Sequence, residues 1–524
     1  MVLFLILVFL PQLLPSYNFH EENKAYMGIP YNVVDTNNYF SYMQQAREGH
    51  FLFTNKFTAE KVPYILFQPV FLPIGWLTAL FPAVFVYFAF KFIFLIIFVY
   101  LIYKFLKLIV NKNELNVSLF FVLFGSGIGY VYILLNNIGF KKYGSIDYQS
   151  SATSSIGLNI APVNFVISVC LMILIVICYY KFWESKKIMH LVTLSALTLL
   201  LGFTHLFDVI TLIPAFGIYM LWRLIKKKDD FGAILKYNLI YALIAIIPFI
   251  YTYYIFAVDP YFKEWNVQNV LETPKFLHVL FGYFFPLIFA LFYFTDKITY
   301  RREWKDLEVI LFTWMLAGLF LLYAPLNIQR RFIEGLNIPI MILGSLGFTR
   351  VLLPKFEKVI KSFAAIKNPK SIAIFSIFIL ISPTSFYWLY KINSNISPNV
   401  EVSDYSVPYY LDKDELEALN WLKENTYSEE LVLSAYGIGN YIPRISANRV
   451  FLGHWAQTIN FEKKKKDVKQ FFSANNDSFR KKLIDNYGID YVYYGVEEKQ
   501  IGDFKPKDMQ KVFENEKITI FKVN

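Results

Sequence analysis

Three short stretches hold residue types that can do chemistry. YNVVDTNNYFSYMQQAREGHFLF, residues 31–53, places Asp35 ahead of Tyr39, Tyr42, Gln44, Gln45, Arg47 and Glu48. A carboxylate in such company can act as general base toward an attacking hydroxyl. It can also be the N-cap of the helix that TNNYFSYMQQA would form, and one residue can do both. PLNIQRRFIEGLNIPI, residues 325–340, sets Gln329, Arg330 and Arg331 at a helix entrance. Adjacent guanidiniums suit a phosphate, because each donates two parallel hydrogen bonds; the competing reading is interfacial snorkelling. THLFD, residues 204–208, spaces His205 and Asp208 at i and i+3, so both can face one way. They could share a proton, bind a substrate hydroxyl, hold a metal, or form a structural pair.

Other stretches are less specific. DYQSSATSSIGLNIAPVNF (147–165) and DPYFKEWNVQNV (259–270) offer hydroxyls, amides and aromatic faces that suit a sugar. A solvated loop and an interfacial aromatic belt explain them as well. GSGIG (125–129) lies in an apolar run without a preceding strand or a lysine, so Gly125 and Gly129 read as a helix-packing face. KKKK (463–466) reads as the solvated face of a helix. Cys170 and Cys178 share one apolar segment and read as small buried hydrophobes.

These residues need elements to position them, and composition says which. The 524 residues are 56% hydrophobic, 19% aromatic and only 17% charged, with a mean hydropathy of +0.41. That profile excludes an ordinary soluble protein and points to a polytopic α-helical membrane protein. The net charge of +11 therefore speaks of orientation rather than nucleic acid. Val2 to Leu14 lacks a basic n-region and a cleavage site, so it is not read as a signal peptide.

Apolar windows predict about eleven spans, near 2–16, 83–103, 117–135, 161–181, 189–203, 207–225, 232–257, 277–294, 308–324, 335–352 and 371–391. The run 63–82 is apolar but broken by proline and glycine, and reads as interfacial or re-entrant. The loops KFLKLIVNKNEL, KFWESKK, RLIKKKDD, DKITYRREWKD and PKFEKVIKSFAAIKNPK are short and basic. The positive-inside rule makes them cytoplasmic. The N-terminus is then inside, while the first loop (17–82) and the C-terminal tail are outside. Residues 1–391 form the expected membrane domain. Residues 392–524 alternate helix and strand patterns, enough for a small extracytoplasmic α/β domain.

In that order of elements the chain resembles the GT-C superfamily of integral-membrane glycosyltransferases. The resemblance is carried by DTNNYFSYMQQAREGHFLFTNKFTAE, FGSGIGYVY, THLFD, NIQRRFIEGLNIP, GNYIPRISANRVFLGHWAQT and NYGIDYVYYG. It includes the protein O-mannosyltransferase and aminoarabinose transferase types. It implies hexosyl or pentosyl transfer, with inversion, from a polyprenyl-phosphate donor to a glycan, lipid or protein acceptor on the outer face. Such enzymes draw a catalytic acid from the first outer loop, and Asp35 is the matching position. Thr36 follows where the family often has a second acid, so Glu21, Glu22 or Asp208 could share the role. In this reading Arg330 and Arg331 hold the donor phosphate, and His205, Asp208, Tyr39 and Gln329 touch substrate. No motif spacing designates a metal, yet five histidines on the outer side (His20, His50, His205, His278, His454) leave a divalent metal open.

Three other functions fit parts of the pattern. A transporter or flippase of lipid-linked glycans would want charges inside the spans and paired broken helices; Lys91 is the clearest such charge. A non-catalytic membrane-anchored binding protein would rely on the tail. A ligase joining lipid-linked glycans could use the same motifs.

Overall fold

The computed structural model describes residues 1–14, 23–138, 144–361, 368–394, 396, 406–473, 477–506 and 508–524. The chain divides into two compact units. One comprises Met1–Leu10, Lys91–Thr252 and Val270–Lys391; the other comprises Pro11–Phe90, Tyr253–Asn269 and Ile392–Asn524.

The first unit is helical. Among the described residues, five helices are each long and apolar enough to cross a membrane: Ala83–Ile109, Val163–Ser185, Leu206–Ile225, Phe231–Val258 and Gln329–Val359. Three pairs reach that length only together: Lys112–Phe124 with Gly129–Asn137, Phe276–Gly282 with Phe284–Thr299, and Pro369–Ile381 with Pro383–Ile392. Val2–Leu13 and Ile188–Thr204 are apolar but shorter, as is Asp306–Leu321. Each of the eleven sequence windows thus falls on a helix or a bent pair, and the chain is a multi-pass membrane protein. Residues 63–82 hold only the seven-residue helix Phe71–Leu77, too short to cross.

The bends correct two sequence readings. GSGIG is not a helix-packing face but the break between Phe124 and Gly129. There the Ser126 N–H donates to Ile381 O at 2.7 Å and the Ile128 N–H to Phe281 O at 2.9 Å. All three broken pairs therefore meet at their breaks. Asp147 closes the knot: its Oδ2 accepts from the N–H groups of Gly127 (3.0 Å) and Gly129 (3.2 Å). A Cβ on Gly127 would stand 2.2 Å from Phe281 O, which is why only glycine fits there. Nor is 147–165 a solvated loop, since Asp147, Thr153, Ser154, Ser155 and Asn159 are all buried. Its polar groups satisfy backbone that the breaks leave open, as the bilayer interior demands. Lys91, buried in its span, donates to Ile160 O at 2.7 Å. That places a cation at the C-terminal end of the helix Ser155–Ile160, where the helix dipole favours it.

The second unit carries seven strands among its described residues. Strand β1 (Lys24–Tyr26) pairs antiparallel with β2 (Tyr410–Asp412). Strands β3 (Leu431–Leu433), β4 (Arg449–Val450), β5 (Tyr491–Tyr494), β6 (Met509–Glu514) and β7 (Thr519–Val523) form one sheet in the order β4-β3-β5-β7-β6. β3 runs parallel to β4 and β5, and the β5–β7 and β7–β6 pairs are antiparallel. LVL and YVYY are apolar or aromatic throughout because both faces of these central strands are covered. The sequence pattern contains all but β6 and the β1–β2 pair. The helix Phe461–Ser473 buries Phe461, Lys464, Val468, Phe471 and Phe472 on one face. KKKK is thus not wholly solvated: Lys464 falls at a core position and donates to Glu60 Oε2 at 2.6 Å and Thr58 Oγ1 at 3.1 Å.

Candidate functional site

Two polar centres stand out, one in each unit. The first is built on the helix Val33–Arg47. Asn32 precedes it in the left-handed region at φ 51° and ψ 54°, so the helix starts at Val33 and Asp35 lies in its first turn. Asp35 is therefore not the N-cap. The helix dipole favours an anion there. Two side chains fix the carboxylate: Asn32 Nδ2 donates to Oδ2 at 2.7 Å, and His454 Nε2 lies 2.8 Å from Oδ1. The Asp35 side chain stays 31% exposed while that of His454 is 3% exposed, so the acid is open to solvent and the imidazole is not.

The imidazole's proton can be placed. The Ala456 N–H donates to His454 Nδ1 at 3.0 Å, so Nδ1 carries no proton and Nε2–H points at Asp35. The turn 453–459 is anchored from several sides. Gly453 N donates to Thr458 Oγ1 (3.0 Å), Thr458 Oγ1 to Phe57 O (2.7 Å) and Asn55 Nδ2 to Gln457 O (2.7 Å). Gln268 Nε2 donates to Thr458 O (2.9 Å) and Asn269 Nδ2 to Ala456 O (3.0 Å). Gln268 and Asn269, two of the amides of 259–270 that suited a sugar, thus hold this turn instead. Tyr39 is half-buried and stacks on Phe71, with ring centroids 4.9 Å apart. Glu21 and Glu22 lie outside the described residues.

The second centre is in the first unit. His205 ends the helix Ile188–Thr204 and precedes Leu206–Ile225, with φ −153° and ψ 79° breaking the two apart. Asp208 then sits in the first turn of the second helix. A turn of 3-10 helix, Gln329–Ile333, carries Arg330 and Arg331 and leads to Glu334. Gly335, at φ +70°, turns the chain into the helix Asn337–Gly347. His205 Nδ1 lies 3.3 Å from Asp208 Oδ2 and 3.2 Å from Glu334 Oε2. All three side chains are buried, and their ligand atoms lie within 4.8 Å of one another. Yet His205 Nδ1, both Asp208 oxygens and Glu334 Oε2 make no hydrogen bond. Unbonded buried charge is costly, and these atoms point at one shared space. Ligand atoms each about 2.1 Å from a tetrahedral ion stand about 3.4 Å apart, so imidazole plus two carboxylates suits a divalent cation.

Arg331 acts electrostatically on all three residues. Arg330 is exposed, and its N–H donates to Leu271 O at 3.0 Å. Gln329 is used within the loop: Oε1 accepts from Thr273 N at 3.2 Å and Nε2 donates to Ala324 O at 2.7 Å. The structure thus joins His205 to Asp208 as the i, i+3 spacing implies, and adds two residues the sequence reading did not select. Glu334 comes three residues after the arginine pair and precedes a glycine, a signal that was in plain view. His454 had only its place in GHWAQT.

No family model and no curated protein matches the sequence. Solved structures do. The Archaeoglobus fulgidus oligosaccharyltransferase tethered with an acceptor peptide matches over 95% of this chain and 69% of its own, at 13% identity and a TM-score of 0.54. The same enzyme in complex with zinc and sulfate matches over 94% and 67%, at 13% identity and 0.51. ArnT from Cupriavidus metallidurans bound to undecaprenyl phosphate matches over 99% and 97%, at 9% identity and 0.55. Both proteins belong to the GT-C superfamily of membrane glycosyltransferases. At these identities the likeness is one of fold, and the fold is GT-C.

Proposed function

We propose that the protein is a membrane glycosyltransferase that moves a sugar from a polyprenyl-phosphate-linked donor to an acceptor on the outer face of the plasma membrane. The observation that carries the reading is Asp35: an accessible carboxylate, held on both oxygens, in a chain with a GT-C fold. The acceptor hydroxyl oxygen attacks the anomeric carbon while Asp35 takes its proton. The bond from that carbon to the phosphate oxygen breaks, and the lipid phosphate leaves with the electron pair. Arg330 and Arg331 stabilise its charge. His205, Asp208 and Glu334 would hold a divalent cation, which supplies further charge neutralisation when bound. Zinc and sulfate with the oligosaccharyltransferase, and undecaprenyl phosphate with ArnT, support ligands of these classes. In this reading the basic loops face the cytoplasm and residues 392–524 lie outside.

Purified full-length protein in liposomes, given labelled polyprenyl-phosphate sugars and a membrane extract as acceptor source, tests the reading. Wild type should transfer label, Asp35→Asn should not, and Arg330→Ala should raise the donor KM. Transfer undiminished in Asp35→Asn sinks the base assignment. The three broken helix pairs give a transporter reading one observation in its favour. Donor that crosses the liposome membrane without label reaching any acceptor would select that reading.

A further inference from the structure

Asp35 has a partner from the far end of the chain, and the two differ in ways that assign the partner a task. We infer that His454 is a positioning residue for Asp35, its Nε2–H holding the carboxylate ionised and turned toward the acceptor, so that the turn 453–459 belongs to the catalytic machinery. The inference rests on the proposed base role of Asp35 and adds to it.

Three observations carry it. First, the Ala456 amide fixes the tautomer, so the imidazole can only donate to Asp35. An imidazole whose Nε2 already bears the proton cannot accept one from Asp35, which excludes a relay and leaves orientation and charge stabilisation. Second, burial is unequal. The imidazole is walled in against Phe57, edge to face with ring centroids 6.1 Å apart, while the carboxylate is open. A bond to the charged form favours that form, and a dry donor is worth more than a wet one. Third, the turn is over-anchored for a mere connection: Asn55, Gln268 and Asn269 each spend a side-chain amide on its carbonyls. That fixes where Nε2 points.

The test uses full-length protein in liposomes with the labelled donors. His454→Ala should lower kcat by roughly 10- to 100-fold, the worth of one hydrogen bond to a charged group, with KM for the donor unchanged. His454→Gln places an amide N–H near the Nε2 position and should recover part of the loss. Elution as a single species and an unchanged melting temperature show that both variants fold. In protein labelled with 15N-histidine, the resonance lost in His454→Gln should show Nε2 protonated and Nδ1 not, and should shift in Asp35→Asn. Turnover that needs Asp35 but stays within twofold in His454→Ala overturns this inference alone, as does a resonance with Nδ1 protonated or one indifferent to Asp35→Asn. Absence of turnover by wild type overturns the transferase reading, and this inference with it.

Discussion

The two polar centres solve opposite problems. Around Asp35 the carboxylate is accessible and hydrogen-bonded on both oxygens. Around His205 the groups are buried and their facing atoms are unbonded. A base that must meet substrate gains from donors that hold it still without hiding it. A cluster of two acids and an imidazole, closed off from water, is costly unless a cation completes it. The contrast teaches that hydrogen-bond state and access distinguish carboxylates that residue type alone would leave alike.

The largest expected effect is at Asp35. Asp35→Asn keeps the size of the side chain and removes the basic oxygen, so kcat should fall by about 10²–10⁴-fold, read as label transferred per unit time. A loss under tenfold would erase the distinction between the centres.

Next comes the triad. Glu334→Gln or His205→Ala should weaken zinc or manganese binding by more than about 100-fold, measured by equilibrium dialysis. With the ion at about 100 times its Kd, wild type should gain about 2.7 kcal/mol of stability, and the variants little. In chelator the sign should reverse. Asp208→Asn removes a buried charge and should melt no lower than wild type. Wild type that binds no ion, or variants that bind it equally, would reduce the triad to a structural cluster.

The smallest effect sharpens the contrast with a third carboxylate. Glu498 is buried and accepts from the Ala435 and Gly495 N–H groups, so it is bonded like Asp35 and hidden like Asp208. Burial, with Glu497 beside it, pushes its carboxyl from the ordinary 4.5 up to about 8. Between those values the folded chain keeps a proton that the unfolded chain releases. Stability therefore falls as pH rises through the window. The sheet around Tyr491–Tyr494 should melt a few degrees lower at pH 8 than at pH 5, read by hydrogen exchange at those amides. Glu498→Gln should flatten the slope.

Much of the fold was legible because hydropathy reports local surroundings. The eleven windows, the broken apolar run 63–82 and most sheet strands each announce themselves within a few residues. What escaped depends on distant partners. GSGIG looked like a packing motif because nothing local reveals that Phe281, Ile381 and Asp147 close on its broken backbone. Lys464 hid among four lysines, although its place on the helix period with Phe461 and Val468 was readable. Asp35 and Arg331 were selected by residue type and loop position, and the structure sets each beside a histidine-containing polar centre. His454 was named only among five outer histidines, because the acid it bonds lies 419 residues away.

That separation has a consequence for how the protein is made. At about 5–20 residues per second, Asp35 leaves the ribosome tens of seconds before His454 exists. The strand Lys24–Tyr26, whose partner is Tyr410–Asp412, must wait unpaired through that interval. A nascent chain thus lacks both the Asp35–His454 hydrogen bond and the β1–β2 pair until its last quarter is translated, and a product truncated before Tyr410 would keep neither.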